Sequence, residues 1–301
     1  MQTEMLRPGT QAASNFIVKC GVPTFCAVLA IWPALPPTAA RADIPDAKSA
    51  LWAGYENMYN LQFATAHKVF DEYRQQHPND PMGPVSNAAA YLFFEFDRLK
   101  ILRSDFFTQD RKFFGGGKLQ PDPKVRKAFD ADLDKARQLV DARLKSKPDD
   151  HDALLARVIA TALDADYKAL IEKQYWQALN EIKQSQAEAE NLLKVCSDCY
   201  DAYLAKGVEN YLLSQKPAAE RWLLRLTGAQ TDKQIGIDDL RIVAEKGHYL
   251  KPYAKILLAI AALRDNNKQT AKELLEDLAH NFPQNDLFRD ELTRLSSSCC
   301  G

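Results

Sequence analysis

Two cysteines three positions apart give the strongest chemical signal in this sequence. Cys196 and Cys199 lie in the segment VCSDCYDAYLAKG, which connects two runs with helical periodicity. Such a pair forms a disulfide, half of a metal site or a redox centre. A redox centre needs a lowered thiol pKa, and no thioredoxin-like strand pattern surrounds this pair. We therefore expect a structural disulfide or ordinary thiols, and the metal and redox alternatives remain open.

A second pair of cysteines stands at the end of the chain. The segment SSSCCG places Cys299 and Cys300 side by side. With the Cys-x-x-Cys pair they offer four thiolates to a metal ion, although adjacent cysteines are poorly placed for tetrahedral ligation. One hypothesis is therefore a thiol-dependent envelope protein, either redox-active or metal-binding, that uses both pairs. Our main prediction includes no resident metal and no cofactor.

The other residues capable of chemistry form no recognisable catalytic motif. The segment FFGGGKLQ is not a phosphate-binding loop, because Lys112 and Leu119 stand where that motif needs Gly and Ser or Thr. The histidines contain no His-x-x-x-His pair. We therefore predict a protein that is not an enzyme, and a site assembled from distant residues is the alternative. The histidines are His67, His77, His151, His248 and His280.

The first 42 residues differ from the rest of the sequence. Basic residues precede the apolar run CGVPTFCAVLAIWPAL, and the small residues of TAARA follow it. This order is typical of a secretory signal, and we predict cleavage after Ala42. The apolar run is shorter than the roughly 20 residues of a spanning helix, so we expect no transmembrane segment in the mature chain. We predict an exported protein, periplasmic or secreted, that binds no nucleic acid.

The chain after this signal is predicted to be all-α. Apolar residues recur at intervals of three and four, as in LLARVIATALDADYKAL. Four helix ends share a small residue, a packing residue four positions later and a helix breaker eight positions further on. The small residue allows close helix packing, and Asp or Asn after the breaker is suited to capping the next helix. The four sets are Ala66–Phe70–Pro78, Ala136–Val140–Pro148, Ser185–Ala189–Ser197 and Ala271–Leu275–Pro283.

This pattern resembles the tetratricopeptide repeat, in which a glycine also precedes the small residue, as Gly54 does here. The resemblance covers most of residues 46–295. It implies a right-handed helical solenoid of antiparallel helix pairs. The breakers are unevenly spaced, which indicates insertions or degenerate repeats, and an ordinary helical bundle is the alternative. Residues 200–295 are also similar to a tetratricopeptide-like family that includes the mitochondrial inclusion-body clearance protein, a family that offers no catalytic residues.

The predicted organisation is a helical domain at residues 43–295, followed by a flexible tail at 296–301. Within the domain, residues 98–130 form a basic and aromatic insertion with a Gly-rich linker. We expect its phenylalanines to anchor it to the helices and its charges to face water, and an anionic partner is the alternative. These phenylalanines are Phe106, Phe107, Phe113 and Phe114.

The resemblance implies a protein–protein interaction or assembly module that binds on its concave face. The repeat register places Tyr55, Met58, Tyr59 and Tyr211 on that face, and tyrosine is a good binding anchor. Packing in the core is the alternative for each of these residues. Some members of the family clamp a C-terminal carboxylate with Lys and Asn, where this chain has Leu51 and Tyr55. We therefore predict an internal segment or helix as the ligand, from a protein or peptide of the periplasm or cell envelope.

Overall fold

The computed structural model describes residues 47–109, 119–214 and 232–297, and these residues form helices and no strands. The all-α prediction is confirmed. The predicted signal, the Gly-rich linker with Phe113 and Phe114, and the cysteines of the tail lie outside the described residues. The helices are α1 (Ala47–Tyr59), α2 (Phe63–Gln76), α3 (Met82–Arg98), α4 (Ser104–Thr108), α5 (Pro123–Ser146), α6 (His151–Asp166), α7 (Tyr175–Val195), α8 (Tyr203–Ser214), α9 (Lys233–Lys246), α10 (Lys251–Arg264), α11 (Lys268–Asn281) and α12 (Asp286–Ser297).

Each long helix packs against the next one along the chain, and the short α4 packs against α10. A π-helical turn (Tyr167–Glu172) follows α6, and a 3₁₀ turn (Tyr200–Ala202) precedes α8. None of the helices in the described ranges has both the length and the apolar character needed to cross a membrane.

The helix starts follow the predicted turn chemistry. Asp80, Asp150 and Asn285 follow the breakers, and their side chains accept hydrogen bonds from backbone N–H groups two or three residues later, at 3.0–3.1 Å. These bonds satisfy donors that the first turn of a helix leaves without a partner. Local residue choice therefore determines where α3, α6 and α12 begin.

The predicted small and packing residues lie buried inside the helix pairs. The four small residues are at most 2% exposed and the four packing residues at most 6%. A Cβ atom at Gly54 would lie 2.2 Å from the ring of Phe70, so α1 and α2 approach too closely for any other residue at that position.

The structure contains a fifth copy of the pattern that the sequence interpretation missed. Gly236, Leu240 and His248 have the same spacing, and Gly236 on α9 packs against α8. A Cβ atom at Gly236 would lie 2.6 Å from the amide nitrogen of Tyr211 and 2.9 Å from the carbonyl oxygen of Gly207. In the described part of the chain, five packed helix pairs therefore precede α12, namely α1–α2, α3–α5, α6–α7, α8–α9 and α10–α11.

The first helix also contacts the C-terminal helices. The Tyr59 hydroxyl donates to the Tyr249 carbonyl oxygen at 3.0 Å, and the Asn285 side-chain amide donates to the Tyr59 carbonyl oxygen at 2.8 Å. Tyr55 stacks on Tyr249, and Tyr59 packs on Phe282, with ring centroids 5.1 and 5.4 Å apart. The two ends of the helical array therefore meet.

The insertion returns to the core through two of its phenylalanines. Phe106 and Phe107 are half-buried against the core. The Arg264 guanidinium on α10 donates to the Phe107 carbonyl oxygen, and the Lys173 ammonium lies 4.8 Å from the centroid of the Phe106 ring. This arrangement is the anchoring that the sequence predicts for these two residues.

Candidate functional site

The four residues predicted to bind a partner lie in the core. Tyr55, Met58, Tyr59 and Tyr211 are 0, 1, 2 and 5% exposed. This placement corrects the expectation that they form an exposed binding face, and it agrees with the alternative of core packing. For Tyr55 and Tyr59 the reason is the contact with Tyr249, which occupies the space that a partner would need.

A cavity of about 370 Å³ remains where α1, α3, α10 and α12 meet, and we call it the closure cavity. Its buried walls include Met58 and Tyr59 of α1, Phe93 of α3 and Phe288 of α12. Its volume lies in the range of about 300–1,000 Å³ that is typical of ligand pockets. Ala259 and Leu275 also line it and are buried. The remaining apolar side chains of the lining are only half-buried, namely Leu61, Leu102, Ile256, Ile260, Leu263 and Leu287.

The polar lining of the closure cavity includes a small group of linked side chains. Glu291 is 9% exposed, and it accepts hydrogen bonds from the Ser104 hydroxyl and, at 3.0 Å, from the Arg294 guanidinium. Arg103 also lines the cavity and is exposed. Apolar walls with a few fixed polar groups bind apolar ligands and determine their orientation.

A smaller cavity, of about 60 Å³, contains a titratable group. Asp166, the last residue of α6, lines it together with Tyr253, whose hydroxyl donates to the Asp166 carboxylate at 3.3 Å. Burial raises the pKa of Asp166 to about 7, and the hydrogen bond from Tyr253 opposes part of that rise. Asp166 therefore titrates near neutral pH, which occurs at functional sites and in structural networks alike.

Cys196 and Cys199 form a disulfide, with their Cα atoms 5.4 Å apart. Cys196 is the residue after α7 and is buried, whereas Cys199 precedes the 3₁₀ turn and is half-buried. His151, the first residue of α6, lies with a ring nitrogen within 4.8 Å of both sulfur atoms. The sequence gives no sign of this contact, because His151 lies far from the two cysteines along the chain.

Comparisons of this chain with protein-family models, curated proteins and solved structures give no match. The functional assignment therefore rests on the residues and on their geometry.

Asp201 positions the loop that closes the array. Its carboxylate accepts three backbone hydrogen bonds, from His248 at 2.9 Å, Tyr249 at 3.0 Å and Leu250 at 3.1 Å. Burial raises the pKa of Asp201, and these three amides oppose the rise. Tyr249 is therefore held in place to contact α1. The sequence contains no signal for this role, because the partners of Asp201 lie almost 50 residues further along the chain.

Proposed function

We propose that this chain is a tetratricopeptide-like solenoid of right-handed, antiparallel helix pairs, exported from the cell, that acts as a binding or assembly module without catalysis. The partner is a protein or peptide of the periplasm or cell envelope. One or two apolar side chains of the partner enter the closure cavity and anchor it there.

The repeat part of the proposal is supported by the five copies of the residue pattern. The four predicted small residues are buried, and the packing residues Phe70 and Leu240 lie against Gly54 and Gly207 of the preceding helix. Helices of a tetratricopeptide pair are packed through this combination. The fifth copy begins at Gly236 and has His248 at the breaker position. His248 divides the interval between the breakers Ser197 and Pro283, which was the longest interval between breakers in the sequence.

The closure cavity is the observation that carries the binding part of the proposal. The inner surface near α1 is filled by Tyr249, Tyr253 and Phe282, which leaves no space for a whole helix beside Tyr59. A single aliphatic or aromatic side chain fits a cavity of about 370 Å³. Burial of one such side chain contributes about 1.5–3 kcal/mol, and anchors of this kind dominate many interfaces.

The experiment compares partner capture by three forms of the protein. Ile260→Trp fills the closure cavity, because Ile260 lines it and is half-buried. Ile235→Trp on α9 is the matched control, because Ile235 is 49% exposed and lies outside that cavity. Each form is immobilised and exposed to the proteins of the exported fraction, after thermal unfolding has shown that all three fold.

We expect the wild type and Ile235→Trp to retain the same protein, and Ile260→Trp to lose it. Retention should persist after reduction of the thiols, because no cysteine is among the described residues that line the cavity. Equal retention by all three forms contradicts the proposed cavity contact. Loss of the partner on reduction favours the thiol-dependent hypothesis instead.

A further inference from the structure

We propose that reduction of the Cys196–Cys199 disulfide creates a zinc site, in which the two thiolates and the imidazole of His151 bind the ion. The site is separate from the closure cavity, and the proposal does not depend on the partner proposed above.

The helix pair explains why these three residues meet. α6 and α7 are consecutive and packed against each other, so the start of α6 and the end of α7 lie at the same end of the pair. His151 is the first residue of α6, and Cys196 directly follows α7. The ligand atoms of His151, Cys196 and Cys199 all lie within 4.8 Å of one another.

The donor set matches zinc. Thiolate sulfur and imidazole nitrogen are the usual ligands of structural Zn²⁺, at about 2.3 Å and 2.0–2.1 Å from the ion. These bond lengths place tetrahedral donor atoms roughly 3.5–3.8 Å apart, a spacing that the sulfurs reach when the disulfide opens and their side chains rotate. The Asp198 carboxylate lies 3.3 Å from the Cys196 sulfur. Either this carboxylate or a water molecule supplies the fourth ligand.

A turn between two helices of this fold forms without a disulfide. The turn between α9 and α10, which corresponds to the Cys196–Cys199 turn between α7 and α8, contains neither proline nor cysteine. The Asp201 carboxylate holds that turn through backbone amides. A disulfide that closes so short a loop removes little chain entropy from the unfolded state. Turn formation alone is therefore a weak reason for two cysteines beside a histidine.

A small dithiol is the reductant that opens the disulfide. It supplies two electrons and two protons, which convert the Cys196–Cys199 disulfide into two thiols, and the dithiol is itself oxidised to a disulfide. Zn²⁺ then displaces the two thiol protons and binds the thiolates and the neutral imidazole. Oxidation of the bound thiolates by a disulfide reforms the Cys196–Cys199 bond and releases the ion.

The experiment uses the full chain in a background where only Cys196 and Cys199 remain. The other four cysteines, Cys20, Cys26, Cys299 and Cys300, are replaced by serine. The protein is reduced with dithiothreitol, desalted without oxygen and titrated with Co²⁺, whose thiolate charge-transfer band reports sulfur ligation. Zn²⁺ is then added to displace the Co²⁺, and the oxidised protein is titrated in parallel.

We expect the reduced protein to bind one Co²⁺ per chain, Zn²⁺ to displace it, and the oxidised protein to give no charge-transfer band. His151→Asn should weaken binding by about tenfold to 100-fold or more, the cost typical of losing support at a metal site. His280→Asn, at an exposed position on α11, is the matched control and should bind like the parent.

Thermal unfolding of the oxidised variants establishes that each one folds. The proposal is overturned if the reduced parent shows no thiolate band. It is also overturned if His151→Asn and His280→Asn bind Co²⁺ with equal affinity.

Discussion

Buried polar side chains determine much of the local geometry at the scale of single residues. Asp201 uses its carboxylate to hold three backbone amides. Among the described residues, Asp166 accepts a side-chain hydrogen bond only from the Tyr253 hydroxyl, in a mostly apolar cavity. Three hydrogen-bond donors compensate the buried charge of Asp201, whereas the single hydroxyl donor at Asp166 compensates its charge only weakly. The two carboxylates therefore differ in what ionisation does to the free energy of unfolding.

Asp166→Asn should remove a pH dependence from the stability of the fold. The pKa of Asp166 is about 7 in the folded protein and about 3.9 in an unfolded chain, so the folded state binds more protons between these values. The free energy of unfolding should consequently fall as pH rises from about 4 to 7 and stay level above pH 7. The asparagine side chain stays neutral at every pH, and its amide oxygen still accepts the hydrogen bond from the Tyr253 hydroxyl. We expect the variant to be more stable than wild type at pH 8, by up to about 4 kcal/mol.

Urea denaturation at pH 5 and pH 8 checks this prediction. The stability gained from Asp166→Asn should be larger at pH 8 than at pH 5. Asp149→Asn, at an exposed position beside the start of α6, is the control and should show no such difference. Parallel pH profiles for wild type and Asp166→Asn would mean that Asp166 is already ionised across this range.

The residues that sequence reasoning missed share one physical property. Asp201, His151 and Asp166 act through partners that lie far away in sequence, at His248, Cys196 and Tyr253. Periodicity and turn chemistry describe neighbours within one or two helical turns, and they contain no information on these contacts. The Cys-x-x-Cys pair was visible because both of its members lie in one turn.

At the scale of the helical elements, close packing depends on residues without side chains. Gly236→Ala should destabilise the protein by about 1–3 kcal/mol, the usual cost of overpacking, although alanine favours helix by about 1 kcal/mol. The added Cβ would meet the backbone of Tyr211 and Gly207, which cannot move aside without separating α8 from α9. Thermal or urea unfolding measures the change.

Gly83→Ala is the matched control for this prediction. Its Cβ would lie 2.8 Å from Cγ of Arg74 and 3.1 Å from Cδ1 of Tyr73, which are side-chain atoms and not backbone atoms. We expect a smaller loss of stability than for Gly236→Ala, because side chains adjust more readily than the backbone of a packed helix and alanine has the better helix propensity. Equal destabilisation by both substitutions would show that backbone proximity is not the deciding factor.

The elements were the most predictable part of the fold, because their determinants are local. The caps at Asp80, Asp150 and Asn285 follow breakers that the sequence displays directly. The α9 copy was missed for a local reason too. Gly236 replaces the usual alanine or serine, and His248 replaces the proline, so the pattern kept its spacing and lost its residue types.

At the scale of the whole helical array, curvature decides whether an inner face is open, and the sequence does not predict that curvature. In stacked helix pairs it accumulates from a small rotation at each interface. The repeat register assigns Tyr55 and Tyr59 to the inner face, but it does not determine whether solvent or another helix meets them there. The structure brings Tyr249 to them, and the predicted groove becomes a cavity beside Met58 and Phe288.

Tyr59→Phe should weaken the closure of the whole array. The substitution keeps the ring contact with Phe282 and removes the hydrogen bond to the buried Tyr249 carbonyl oxygen, at a cost of about 1–3 kcal/mol. Because this bond joins α1 directly to Tyr249, hydrogen exchange should become faster both in α1 and in the segment from Tyr249 to α10. Tyr211→Phe is the matched control, because the Tyr211 hydroxyl is buried and has no hydrogen-bond partner among the described residues. Tyr211→Phe should leave the stability unchanged or raise it. If Tyr59→Phe speeds hydrogen exchange only in α1, the two ends open independently.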